Sequence, residues 1–184
     1  MQQQLSDIIA QFEHAQARLE RLADSVGDDR WNVRNDPARW SVAECVAHLN
    51  LTSEAYIPRI RKAIEEARRL PAFKGTYHRD FIGWIFAKMT GPLPKIGGAR
   101  IGRVKTTAPF IPAGEHPKQL TLAEFRRLQL DLMAMVRESD GLAIDKTRIR
   151  SPFGEKISYN TYSAFRILPP HQERHLQQAE AVWP

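Results

Sequence analysis

The sequence predicts an all-α protein, an antiparallel four-helix bundle with a long loop-rich insert between its second and third helices. Three observations carry that expectation. Four long segments space their apolar residues three and four apart with charges between them, which is one face of a helix. Two of these segments open on a Ser/Thr-x-x-Glu capping pattern. No segment alternates apolar and polar residues convincingly enough to read as a half-buried strand. The 184 residues, 42% hydrophobic and 26% charged, suit one globular domain with a real core over 1–184.

Each element follows from its own pattern. Residues 4–26 form the first helix, with Leu5, Ile8, Ile9, Phe12, Leu19, Leu22 and Val26 on its apolar face. A polar loop from 27 to 39 follows, with Trp31 and Trp40 as packing anchors. Ser41 and Glu44 form a capping box that opens a second helix to about Arg69. Val42, Cys45, Val46, Leu49, Tyr56, Ile60 and Ile64 share a face there, and Pro58 is expected to kink the helix. Residues 71–118 are dense in Pro and Gly and hold one short helical candidate, Asp80 to Thr90. A connection of this length is uncommon in a compact domain and is often a lid or binding loop. Thr121 and Glu124 repeat the capping box and start a third long helix to about Ser139, which Gly141 ends. A turn at Ser151-Pro152-Phe153-Gly154 precedes a last helical region from about Ser158 to Val182.

Composition narrows the function classes. No basic, apolar leader opens the chain, and no apolar run approaches the roughly 20 residues of a membrane span. Cys45 is the single cysteine, so no intrachain disulfide forms, as expected of a cytoplasmic protein. The net charge is +6. Eight Lys/Arg against Asp80 and Glu115 put all of that excess into 71–118. A cationic insert of this kind invites a nucleic acid or an acidic partner. No helix-turn-helix or zinc-finger pattern accompanies it, which argues against nucleic acid. Gly97-Gly98-Ala99-Arg100-Ile101-Gly102 is not a phosphate loop, since no Gly-Lys-Ser/Thr follows.

His171 and His175 are four apart, one turn above each other on one helix face. With Leu168 at zero, they fall at about −60° and −20°, beside the apolar arc of Leu176, Ala179 and Val182. Both imidazoles therefore point inward, where their nitrogens need a partner. A divalent ion serves, because such a pair is a recurrent bidentate unit for zinc-like metals. Pro169 and Pro170 either kink this helix or restart it just before the pair. The order His171-Gln172-Glu173-Arg174-His175 is not H-E-x-x-H, and Glu173 lies about 200° from His171, which argues against zincin chemistry. His48, at the edge of the second helix's apolar stripe, is a third candidate; its local pattern fits a packed core histidine equally well.

The stretch W-S-x-x-E-x-x-x-H-L (Trp40 to Leu49) resembles the signature of the DinB-like four-helix-bundle superfamily. Ser151 to Gly154 (S-P-F-G) and His171 to Gln178 (H-x-x-x-H-L-x-Q) are similar to its C-terminal signature. The resemblance implies that His48, His171 and His175 hold one metal ion, zinc or nickel, with a further position open to water or substrate. It implies homodimers, and relatives that transfer low-molecular-weight thiols such as bacillithiol or mycothiol to an electrophile, or that act as metal-dependent hydrolases. Much of 71–118 has no counterpart in it.

Two chemistries follow from such a site. A coordinated thiol loses its proton and attacks an electrophile, or a coordinated water does so in a hydrolysis. The catalytic proton acceptor is unknown. Glu44 is better read as a cap. Tyr56 and Thr52, at helical spacing after His48, line either the pocket or the core. Arg100, Arg103 and Lys105 suit the carboxylates of a small thiol, or simply form a solvated cationic loop. Cys45 is expected in the core. Two readings compete with the enzyme: a module that binds an acidic partner through the insert, and a non-catalytic dimerisation unit.

Overall fold

A computed structural model describes residues 1–91, 95–96, 99–100 and 106–183, with the backbone alone at 95–96 and 99–100. The chain is mostly helical. Its four long helices are α1 (Gln3–Ser25), α3 (Val42–Ala67), α5 (Lys118–Glu138) and α6 (Thr161–Val182), with the short α2 (Asp28–Trp31) and α4 (Phe81–Thr90) between them. Two short strands, β1 (Lys95–Ile96) and β2 (Ala99–Arg100), pair antiparallel, and a 3-10 turn spans Ala108–Phe110. Among the described residues no helix is long and apolar enough to cross a membrane.

The expected caps are partly those observed. Ser41 opens α3 as a full capping box: the Glu44 N–H donates to its hydroxyl at 3.2 Å, and the Glu44 carboxylate accepts from the Ser41 N–H at 2.9 Å. The Asp80 carboxylate caps α4 by accepting from the Gly83 N–H at 3.1 Å. The second expected box does not form. Helix α5 begins at Lys118, so Thr121 already lies inside the first turn; its hydroxyl donates back to the Pro117 carbonyl at 2.8 Å. Glu124 turns instead to Arg127 at 2.6 Å. Gly141, at φ +76°, reverses the chain two residues beyond the α5 cap at Ser139.

The reading that no segment is a strand is corrected at 148–160. There β3 (Arg148–Ser151) pairs antiparallel with β4 (Gly154–Asn160), and Ser151-Pro152-Phe153-Gly154 is the turn between them. Alternation in β3 buries only Ile149 and Ser151, too few positions to announce a strand. The last helix accordingly starts at Thr161, where Asn160 caps it by accepting from the Ser163 N–H at 2.8 Å. Helix α3 runs unbroken through Pro58, and α6 runs through Pro169 and Pro170 without restarting.

Helices α1 and α3 each pack against both α5 and α6. Two apolar clusters divide their length. One joins Leu5 to Phe12 of α1 with Tyr56 to Ala67 of α3, Leu132 to Val136 of α5 and Ala164 to Leu168 of α6. The other joins the C-terminal half of α1 with the N-terminal halves of α3 and α5 and with Leu176 and Ala179 of α6. Helices α3 and α5 therefore point the same way, opposite to α1 and α6. This refines the antiparallel expectation: residues 68–117 carry the chain back to the end where α3 began. Between the clusters lies a buried polar level, formed by His48, Thr52 and Ser53 of α3, Gln129 of α5, and His171, Gln172 and His175 of α6.

Candidate metal centre

The three histidines meet in that polar level. His48 comes from the second turn of α3, and His171 and His175 from successive turns of α6; they are 2%, 5% and 6% exposed. Each offers one nitrogen to a cluster in which all three lie within 4.8 Å of one another. The Nε2 atoms of His48 and His171 are 3.3 Å apart. Two nitrogens held about 2.0–2.1 Å from one ion at a tetrahedral angle would lie about 3.3 Å apart, so the spacing fits a shared cation. Ring centroids are separated by 4.3 Å (His48–His175), 4.6 Å (His171–His175) and 5.2 Å (His48–His171).

The tautomer of His48 is set from outside its helix. Its Nδ1–H donates to the Phe110 carbonyl at 2.7 Å, which leaves Nε2 unprotonated and facing the cluster. The Nδ1 atoms of His171 and His175 are buried without a hydrogen-bond partner among the described residues. Gln178, one turn beyond His175, brings its side chain close enough to favour a proton there, although no well-aligned hydrogen bond forms.

Electrostatics keep the rings neutral. Burial pushes His48 down to about 4, against the Phe110 carbonyl, which favours its proton, and with Arg174 lowering it further. His171 and His175 fall well below the ordinary imidazole value, chiefly through burial and then through neighbouring rings and Arg174. Buried neutral imidazoles with converging lone pairs are a donor set for zinc-like ions, and three protein ligands leave a position free for chemistry. Aromatic rings wall the cluster. Trp40 stacks on His175 (5.9 Å, 23°) and lies 5.0 Å from His48, while Phe153, from the β3–β4 turn, lies 5.9 Å from His171 and 4.7 Å from Phe110.

The other sequence candidates fall in different places. Glu44 is held by its own cap and by the Arg34 guanidinium, which with the Ser41 bonds lowers its carboxyl below the usual range. Tyr56 is fully buried, and its hydroxyl bonds that of Tyr159. Thr52 is buried one turn beyond His48, its hydroxyl without a partner among the described residues. Cys45 is buried in the core, as expected. Arg103 and Lys105 lie outside the described residues, as does the side chain of Arg100. Glu173 points away from the cluster to Arg18 and His14 of α1.

Sequence reasoning missed Phe110 and Arg174. The first acts through a backbone carbonyl, which carries no residue signature. The second is buried between the histidines on α6, its Nη1–H donating to the Met89 carbonyl at 3.0 Å; its place on the helix wheel, at about −120° from Leu168, gave no sign of that burial. A family model described as the DinB superfamily matches residues 11–179. No curated protein and no solved structure matches the chain.

Proposed function

The chain belongs to the DinB superfamily, and from that premise we propose that it is a metal-dependent enzyme, a low-molecular-weight-thiol S-transferase. Its four long helices are read as one four-helix bundle that carries a three-histidine metal site. The observation that carries this reading is the convergence of His48, His171 and His175, all buried and all neutral. The inward-facing Nε2 atoms of His48 and His171 meet only each other among the described residues, at a spacing that suits a shared cation.

A divalent ion, zinc or nickel, would supply Lewis acidity there, bringing a coordinated thiol or water to ionise near neutral pH. The chain's own residues do the rest. Phe110 orients His48, and Trp40, Phe110 and Phe153 exclude bulk water. Arg174, its Nη1–H donating to the Met89 carbonyl, helps keep all three rings neutral. Transfer is preferred to hydrolysis because, among the described residues, the cluster includes no carboxylate to act as a base toward water, and Glu44 is committed to its cap and to Arg34.

Elemental analysis of the purified protein beside His171→Ala tests the site. Near-stoichiometric zinc or nickel in the parent, lost in the variant, is the expected result; no metal in either ends the proposal. Thiol-transfer assays with several small thiols and an electrophile then test the activity. Turnover of an ester or amide with no dependence on thiol would favour the hydrolase instead.

A further inference from the structure

A cleft of about 730 Å³ opens beside α4 and α6, lined among others by Tyr77, Arg79, Phe81, Trp84, Tyr162 and Arg166. It is separate from the metal centre. Arg166 precedes His171 by five residues and Tyr162 precedes it by nine, so at about 100° per residue they lie roughly 140° and 180° around α6 from it. No histidine of the centre lines the cleft.

Its charges are unevenly matched. The Asp80 carboxylate accepts from the Gly83 and Asn160 N–H groups and from the Ser163 hydroxyl, and pairs with Arg148 at 3.0 Å. Asp7 accepts from Gln3 at 2.8 Å. Arg79 and Arg166 have no ion-pair partner among the described residues. Both guanidinium groups line the cleft with Tyr162 and Asp7; burial raises the Tyr162 hydroxyl, Arg166 and Arg79 lower it, and the Asp7 carboxylate raises it. Beside them Phe81 is 71% and Trp84 46% exposed, and their rings lie nearly parallel, 17° apart with centroids separated by 6.5 Å. Two large aromatics left in water next to two guanidiniums, which outnumber the one lining carboxylate without an ion pair among the described residues, Asp7, fit recognition better than packing. Arginine forks grip carboxylates and phosphates, and aromatic faces stack on planar rings.

We propose that this cleft is a second ligand site, which takes a planar aromatic molecule bearing a carboxylate or phosphate. The arginines hold the anionic group, and Phe81 and Trp84 receive the ring. The cleft volume lies within the range of about 300–1,000 Å³ usual for small-molecule sites.

Calorimetric titration of the full chain with adenosine 5′-monophosphate and with indole-3-acetate tests the site and separates the phosphate from the carboxylate source. Adenosine and inorganic phosphate serve as half-ligands. One anionic aromatic probe is expected to bind saturably, and each half-ligand at least tenfold more weakly. Arg166→Gln and Trp84→Ala should each weaken it at least tenfold with the circular dichroism unchanged, and His171→Ala should leave it intact. The change Arg79→Gln, at an exposed position, provides the same test if either variant misfolds. Neither probe binding at millimolar concentration, phosphate alone binding as well as the best probe, or variants that bind like the parent would each overturn the proposal.

Discussion

Burial keeps the titratable groups at the centre of the molecule uncharged, and it does so in opposite directions. It lowers His48 to about 4 and raises the Cys45 thiol to about 12, with the Glu44 charge adding to the second shift. The thiolate is the reactive form, so native Cys45 should resist iodoacetamide at pH 8 and react fully in denaturant; rapid labelling of the folded protein would refute this. The histidines predict an acid limb. In metal-free protein, an unfolded imidazole takes its proton near the ordinary value of 6.5, whereas folded His48 remains neutral to about 4. Between those values the unfolded state binds more protons, so stability is full above pH 6.5 and falls as the pH drops toward 4. The slope approaches about 1.4 kcal/mol per pH unit for each histidine so held. Urea melts of the metal-free protein across that window check it, and a flat profile would contradict the burial. Residue types and spacing were enough to put His171 and His175 inward. His48 joined them only through the family motif, and the Phe110 carbonyl that orients it belongs to a segment whose path no local pattern dictates.

At the level of elements, one close approach decides where the short helix sits. A Cβ built on Gly83 would stand 2.2 Å from both Cβ and Oγ of Ser163, so α4 can lie this close to α6 only without a side chain there. The Ser163 Cβ is fixed to the α6 backbone and cannot yield. Gly83→Ala should therefore destabilise by roughly 1–3 kcal/mol, the usual range for overpacking, and Ser163→Gly in the same chain should recover part of the loss. Equal stability of Gly83→Ala and the parent, by denaturant midpoint, would show that the contact is looser than drawn. The extent of α4 was readable as a short helical candidate, but its position was not, because a glycine inside a helix usually signals only a weaker helix. The β3–β4 hairpin was hidden for a different reason. Its seven-residue strand buries just Tyr159 and Asn160 fully, and tertiary contacts of Phe153 and Tyr159 with Phe86 hold it, rather than any alternation in sequence.

Across the whole molecule, the two apolar clusters make the metal centre a structural as well as a chemical feature. The helices are cemented at both ends of their length, while the level between them carries imidazoles, amides and hydroxyls that bury without apolar gain. Gln129 and Gln172 answer one another there by reciprocal amide hydrogen bonds, but the Nδ1 atoms of His171 and His175 find no partner among the described residues. An ion shared by His48 and the α6 pair would link α3 to α6 at this weakest level. Such an ion binds only the folded arrangement, so mass action makes it stabilising. At a free concentration one hundred times Kd the gain is about 2.7 kcal/mol, or roughly 5–10 °C in Tm for a chain of this size. Zinc or nickel added to chelator-stripped protein should raise Tm by that order. His48→Ala should abolish the rise although His171 and His175 remain, because one helix alone cannot tie two together. The same rise in His48→Ala would mean that the α6 pair binds metal without α3, and the interhelical site would have to be abandoned.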